Sequence, residues 1–241
     1  MQTFLWIDIL LLLLPLAFSF HARIAIYKDV LFLLPAILIS TLIFLLWDYF
    51  FSTWGIWNYN SEHLVGLFCF GLPIEVVLFY FGLSYCSLFI YATLKIIVNK
   101  DALRLVHKFI SALILLFSLT IFFALTHKLY ASMAALVSAY MLTCRVWVAH
   151  PKSLGFFYKA YLIGIVPYTL IIIILTNFSV INYNMDYVFG IRFFKMPLEN
   201  LFYYFSLFFL NVGIYDWCKH KFGSQQLKPH QEITSSEVFA D

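Results

Sequence analysis

Two glutamates stand in matching surroundings 124 residues apart, and carboxyl groups so placed are able to move protons. Glu75 follows Asn58-Tyr59-Asn60, Gly66 and Pro73-Ile74; Glu199 follows Asn182-Tyr183-Asn184, Gly190 and Pro197-Leu198. Each opens a long apolar, aromatic run. An acidic group at such depth is costly and as a rule faces a protein interior or a functional path. Burial raises a carboxyl pKa, so the group stays protonated near neutral pH and is able to donate that proton. The chemistry this suggests is protonation of an alkene carbon of an isoprenoid. A second double bond then closes a ring onto the cation, and a base removes a proton. The net change is a redox-neutral isomerisation. The plainer alternative is that both glutamates cap helix starts while Asn, Gly and Pro shape the loops.

Nearby residues extend this reading. Pro73 and Pro197 suit a first helical turn, where an amide hydrogen has no intrahelical partner. The helix dipole favours a carboxylate in that turn. Asn60 and Asn184 offer amide hydrogen bonds from the preceding loop. Asp48, after Trp47, is placed to orient Glu75 or share its proton. Arg192 and Lys195 each have two readings, a partner for Glu199 or an interfacial cation. Tyr59, Tyr183, Trp54 and Trp57 suit an aromatic wall able to stabilise a carbocation, or serve as interfacial anchors.

Other chemistries find no support. Seven Asp and five Glu form no DDxxD-like cluster for magnesium and diphosphate. There is no Gly-rich dinucleotide fingerprint and no P-loop. Cys69, Cys86, Cys144 and Cys218 are dispersed, and the seven histidines make no HxxxH. No metal and no cofactor is therefore expected. The formal charge of +3 comes from loop residues with no basic stripe, which argues against nucleic acid.

The elements that position these groups are membrane helices. Of 241 residues, 63% are hydrophobic and 11% charged, and the mean hydropathy is +0.91. A soluble domain of this size carries about a quarter charged residues. Seven apolar runs near the ~20 residues needed to cross hydrocarbon lie at 3–20, 30–49, 66–94, 105–126, 129–148, 156–176 and 196–217. The fold class expected is an all-α integral membrane protein. The 124-residue offset makes spans 1–3 and 5–7 two parallel three-helix repeats joined by span 4. Four crossings separate matching elements, so the halves share one orientation about an axis along the membrane normal. This gives a first repeat at 1–98, a connector at 99–127, a second repeat at 128–222 and a flexible tail at 223–241. It also predicts that Glu75 and Glu199 face one another at equal depth. Of fifteen basic residues only Lys128, Arg192 and Lys195 fall on the side of those glutamates. The excess of positive charge therefore places the C-terminus in the cytoplasm and the N-terminus outside, with the first span retained.

The ordered motifs resemble the lycopene cyclase domain family, small integral-membrane carotenoid cyclases made of two related halves. Trp47-Asp48, Trp57-Asn58-Tyr59-Asn60 and Leu72-Pro73-Ile74-Glu75 are similar to the first-half signature. Leu175-Thr176, Tyr183-Asn184, Gly190-Ile191-Arg192, Met196-Pro197-Leu198-Glu199, Tyr204 and Tyr215-Asp216-Trp217 are similar to the second. The resemblance covers nearly all of positions 1–220 and implies conversion of the open ends of lycopene to β-ionone rings without a flavin fold. It implies Glu75, Glu199, Asp48 and Arg192 as catalytic candidates. Substrate contacts are expected from Trp47, Trp57, Tyr59, Asn60, Pro73, Tyr183, Asn184, Pro197, Asn200 and Tyr204. The implied partners are lycopene or a related polyene, membrane lipid and other carotenoid biosynthesis enzymes, at the inner (cytoplasmic) membrane. Two positions depart from the family pattern of paired acids: Val76 follows Glu75, and Asn200 follows Glu199. Cyclisation with one glutamate per half, action on a different isoprenoid, and non-catalytic carotenoid binding remain the three readings.

Overall fold

The computed structural model describes residues 2–98, 101, 103, 105–149 and 154–226. Among the described residues there are seven α-helices: α1 (Thr3–Ser19), α2 (Val30–Thr53), α3 (Ile74–Ile97), α4 (His107–Ala124), α5 (Leu129–Thr143), α6 (Leu154–Asn177) and α7 (Glu199–Gln226). Among the described residues, five helices are long and apolar enough to cross a membrane, and α1 is a shorter apolar helix. Leu, Ile and Phe all round these helices, rather than along one stripe, leave apolar surface facing outward; such all-round hydrophobicity belongs in lipid or a large core. The protein is a multi-pass, all-α membrane protein.

The helices pack as a bundle around α3 and α7. α1 lies on α3, α5 on α7, and α2 and α6 each touch both α3 and α7. α4 packs on α5 and is mostly exposed. Small residues set two of these approaches. A methyl group on Gly82 of α3 would meet Leu11 and Leu12 of α1 at 3.2 Å, so the bare backbone lets α1 lie close. A methyl on Gly164 of α6 would fall 2.4 Å from the Tyr204 hydroxyl.

Short strands join the helix ends. β1 (Trp57–Tyr59) pairs antiparallel with β4 (Ile181–Tyr183), and Asn58 lies opposite Asn182. β2 (Phe68–Cys69) pairs with β3 (Leu72–Pro73), and β5 (Arg192–Phe193) pairs with β6 (Met196–Pro197). The β2–β3 hairpin turns at Phe70 and Gly71, both with positive φ, as a two-residue turn compatible with strand twist requires.

Those hairpins correct two span boundaries. The third run does not enter its helix at 66: Gly66 takes φ +87, residues 68–73 form the hairpin, and α3 begins at Ile74. The seventh run behaves alike, with Gly190 at φ +98 and α7 beginning at Glu199. Pro73 therefore stands at the cap position before α3 rather than inside its first turn. Hydropathy ends near 217, yet α7 continues to Gln226. Lys219 within that extension bonds Asp29 at 2.5 Å. The expected tail thus begins with helix at 223–226, and 227–241 lie outside the described residues. So do Lys100, Arg104 and Lys152 of the basic loops.

Gly82→Val tests the close approach of α1. Overfilling a packed contact costs about 1–3 kcal/mol, so the variant should melt at lower temperature in detergent, and Gly82→Ala should melt between it and the parent chain.

Candidate active site

Asp48 lies near the end of α2 and is fully buried. A carboxyl group in that position needs donors, and β1, nine residues further on, supplies them. Trp57 and Tyr59 are two apart on a strand and share a face. Trp57 Nε1–H donates to Asp48 Oδ1 at 2.5 Å, and the Tyr59 hydroxyl lies 2.8 and 2.7 Å from the two carboxyl oxygens. Asn58, between them, points outward and is exposed. Burial, and next the Asp48 carboxyl, pushes the Tyr59 phenol well above its ordinary pKa, so it remains a donor.

The register of β1 on β4 sets Tyr183 across from Trp57. Tyr183 in turn meets Asn200 in the first turn of α7. The Asn200 amide nitrogen donates to the Tyr183 hydroxyl at 2.9 Å, and its oxygen accepts from the Tyr130 hydroxyl of α5. Asp48 and Asn200 thus bring a carboxyl group and an amide to one aromatic cavity of about 30 Å³, walled by Phe4, Val76, Tyr80, Tyr168 and Tyr203 among others. The walls are braced from behind. Tyr80 and Tyr203 share a hydrogen bond of 2.7 Å. Tyr168 stacks on Tyr204 with centroids 4.3 Å apart and planes 7° from parallel.

Five of the residues singled out from sequence therefore meet here: Asp48, Trp57, Tyr59, Tyr183 and Asn200. The rest stand elsewhere. Glu75 and Glu199 are buried, but neither lines this cavity. Each turns back to its own hairpin loop: Val65 N–H donates to Glu75 Oε1 at 2.5 Å, and Phe189 N–H donates to Glu199 Oε1. Successive helical residues point about 100° apart, so a glutamate bonded to the loop leaves the next residue, Val76 or Asn200, to face the cavity. Asp48 does not pair with Glu75; its bonds go to Trp57 and Tyr59. Trp47 packs edge-on to Tyr203, one layer behind the wall. Its Nε1 is buried without a partner. Tyr204 is a layer behind Tyr168.

The loop residues act locally. Asn60 and Asn184 accept from Glu62 N–H at 3.1 Å and Asp186 N–H at 3.0 Å, each shaping its turn. Pro73 and Pro197 are buried one and two residues ahead of their helices. Arg192 is exposed and, with Lys128, lies within electrostatic reach of Glu199. It is not in the four ion pairs of the described residues. Lys195 reaches the Asn177 carbonyl at 3.5 Å. Among the described residues no three metal-ligating side chains gather.

Sequence reasoning passed over Tyr80, Tyr130, Tyr168 and Tyr203, which are indistinguishable by type from the other tyrosines of the chain. It also passed over Asp8, buried in α1 at 1% exposure. A lone acid within an apolar run was the available signal.

A multi-pass bundle enclosing an aromatic cavity with one carboxyl group on its wall is the class that the fold and site define. The family model described as lycopene cyclase matches residues 1–94 and 127–218, and the chain belongs to that family. No curated protein and no solved structure matches it. The protein is thus carotenoid-cyclase-like, with a carotenoid or lipid as its partner.

The bonds from Val65 and Phe189 give the glutamates a measurable structural share. Glu75→Ala and Glu199→Ala should each lose about 1–3 kcal/mol, the cost of leaving a donor unpaired. The Gln variants, which keep an acceptor oxygen, should lose less; thermal unfolding of the four proteins checks this.

Proposed function

We propose that the chain closes a ring at the end of a linear polyene, lycopene or a near relative, and that Asp48 is the carboxyl group that meets the substrate. The observation carrying this is the placement of Asp48: it supplies the carboxyl group among the cavity walls, held by Trp57 and Tyr59. The protonated carboxyl gives its proton to one carbon of the terminal double bond. The cation on the neighbouring carbon is attacked by the next double bond, forming the ring C–C bond and moving the positive charge into the ring. Loss of a proton from an adjacent ring carbon makes the new double bond, and the Asp48 carboxylate is the base at hand. One proton enters and one leaves, with no change in oxidation state.

The aromatic faces of Tyr80, Tyr168 and Tyr203 suit the intermediate cation. Buried hydroxyls and the Asn200 amide, each with a partner, hold the walls in place. A polyene end is larger than a water-sized cavity, so binding requires the lining rings to part. Glu75 and Glu199, buried one residue behind the wall, fix the hairpins and keep a second tier of carboxyl groups near the site.

In the arrangement we read, seven crossings form two parallel three-helix halves, at 1–98 and 128–222, around α4. What supports it is the exchange of matching residues: Asn58 pairs with Asn182, Trp57 with Tyr183 and Tyr59 with Ile181. The helix contacts repeat in the same sense, α1–α3 with α5–α7 and α2–α7 with α6–α3. The two stretches matched by the family lie on either side of α4. The charge bias of the loops supports an outer N-terminus and a cytoplasmic C-terminus in the inner membrane, beside other carotenoid enzymes.

Val76 and Asn200, which put an apolar group and an amide on the cavity wall, favour a second reading, a polyene-binding protein without turnover. Expression in lycopene-producing bacterial cells separates the two. Cyclic pigment is expected from the parent chain, with conversion reduced by at least ~10²-fold in Asp48→Asn, the scale of general acid assistance. Unchanged lycopene recovered bound to the folded membrane protein would support the second reading.

A further inference from the structure

α1 is fastened to the first half at three levels. Thr3 Oγ1 meets His63 Nδ1 at 3.1 Å, Leu11 and Leu12 close on Gly82, and Ser19 Oγ meets the Tyr85 hydroxyl at 2.5 Å. Between the first two contacts sits Asp8, 1% exposed. Neither of its oxygens has a hydrogen-bond partner, and Glu75 Oε2 is likewise buried without one. Glu75 is within electrostatic reach of Asp8. The other titratable groups facing α1 are already engaged: His63 with Thr3, Tyr85 with Ser19, and Tyr59, stacked on Phe4, with Asp48. No Lys or Arg joins either acid in an ion pair among the described residues. Two neighbouring buried carboxyl groups without a cation cannot both hold a charge. One proton held by the pair leaves it a single negative charge and gives one of these oxygens a hydrogen to offer.

We infer that Asp8 and Glu75 share one proton, as a carboxyl pair behind the cavity wall formed by Phe4 and Val76. Phe4 lies one turn before Asp8 on the same helix face, and Val76 directly follows Glu75; both line the cavity. The second half has no equivalent. Position 132, which matches 8 at the 124-residue offset, is Ser132, bonded to the Leu129 carbonyl at 3.2 Å. Glu199 has Arg192 and Lys128 in reach instead of an acid. One motif thus sits in two opposite electrostatic settings. Resting on the ring-closing reading above, this makes the first half the proton-holding half, and Asp8 a positioning residue that keeps a proton beside the site.

Infrared difference spectra of the full chain in lipid bilayers test the pair without any turnover. Asp8→Asn keeps the side-chain shape, and Asp8→Ser installs the residue that the second half already packs. Near neutral pH both should remove one protonated-carboxyl C=O band of the parent chain, and Glu75→Gln should shift that band, while Ser132→Ala leaves it in place. A band untouched by both Asp8 variants, or unmoved by Glu75→Gln, overturns the pair. In the pigment assay Asp8→Ser should lower conversion roughly 10²-fold and move its pH profile; parental conversion and profile with the band lost overturn the positioning role. Absence of any conversion by the parent chain defeats the ring-closing reading, and the infrared arm still decides the pair.

Discussion

A carboxyl group between apolar helices has to be given hydrogen-bond donors, and the way Asp48 obtains them organises the end of the bundle that carries the short strands. Its donors, Trp57 and Tyr59, come from a strand rather than a helix, because alternate strand residues project together. That strand pairs with its counterpart, β4. The counterpart delivers Tyr183 to Asn200 on α7, and Asn200 accepts from Tyr130 on α5. One line of hydrogen bonds thus runs from α2 across the cavity to α5. Each link is buried or partly buried, where an unmet polar group is costly, so the links favour a single arrangement of the helices they join.

Helical phase then decides which residues face the cavity. Glu75 and Glu199 are held by amides of their own hairpins, and a rotation of about 100° per residue turns Val76 and Asn200 inward instead. The two hairpin-and-helix segments, 68–97 and 192–226, present the same backbone frame with different chemistry on it. The first meets Asp48 at the cavity, with Asp8 and Glu75 behind the wall. The second brings an amide satisfied by two tyrosines, with cations near its glutamate.

Much of this was legible in the sequence, for identifiable reasons. Continuous apolar runs gave α1 and α6 within two residues at each end. The motif order gave the family. The hairpins at 68–73 and 192–197 were not legible, because Phe, Leu and Met continue the apolar signal through them and only Gly66 and Gly190 mark the break. The direction of the glutamates was hidden too: their partners are backbone amides ten residues upstream, which residue type does not reveal. In the sequence Asp48 reads as a companion of Glu75. Its place on the cavity wall follows from β1 folding back over α2, which no periodicity encodes.

The chemistry proposed needs one exchangeable proton delivered to carbon for every ring formed. Reaction in heavy water measures this most directly, by mass spectrometry of the cyclic pigment made by membranes carrying the chain. One deuterium per ring is expected, with no labelled cyclic product from Asp48→Asn. Cyclic pigment free of deuterium, or labelled equally by Asp48→Asn, would contradict it.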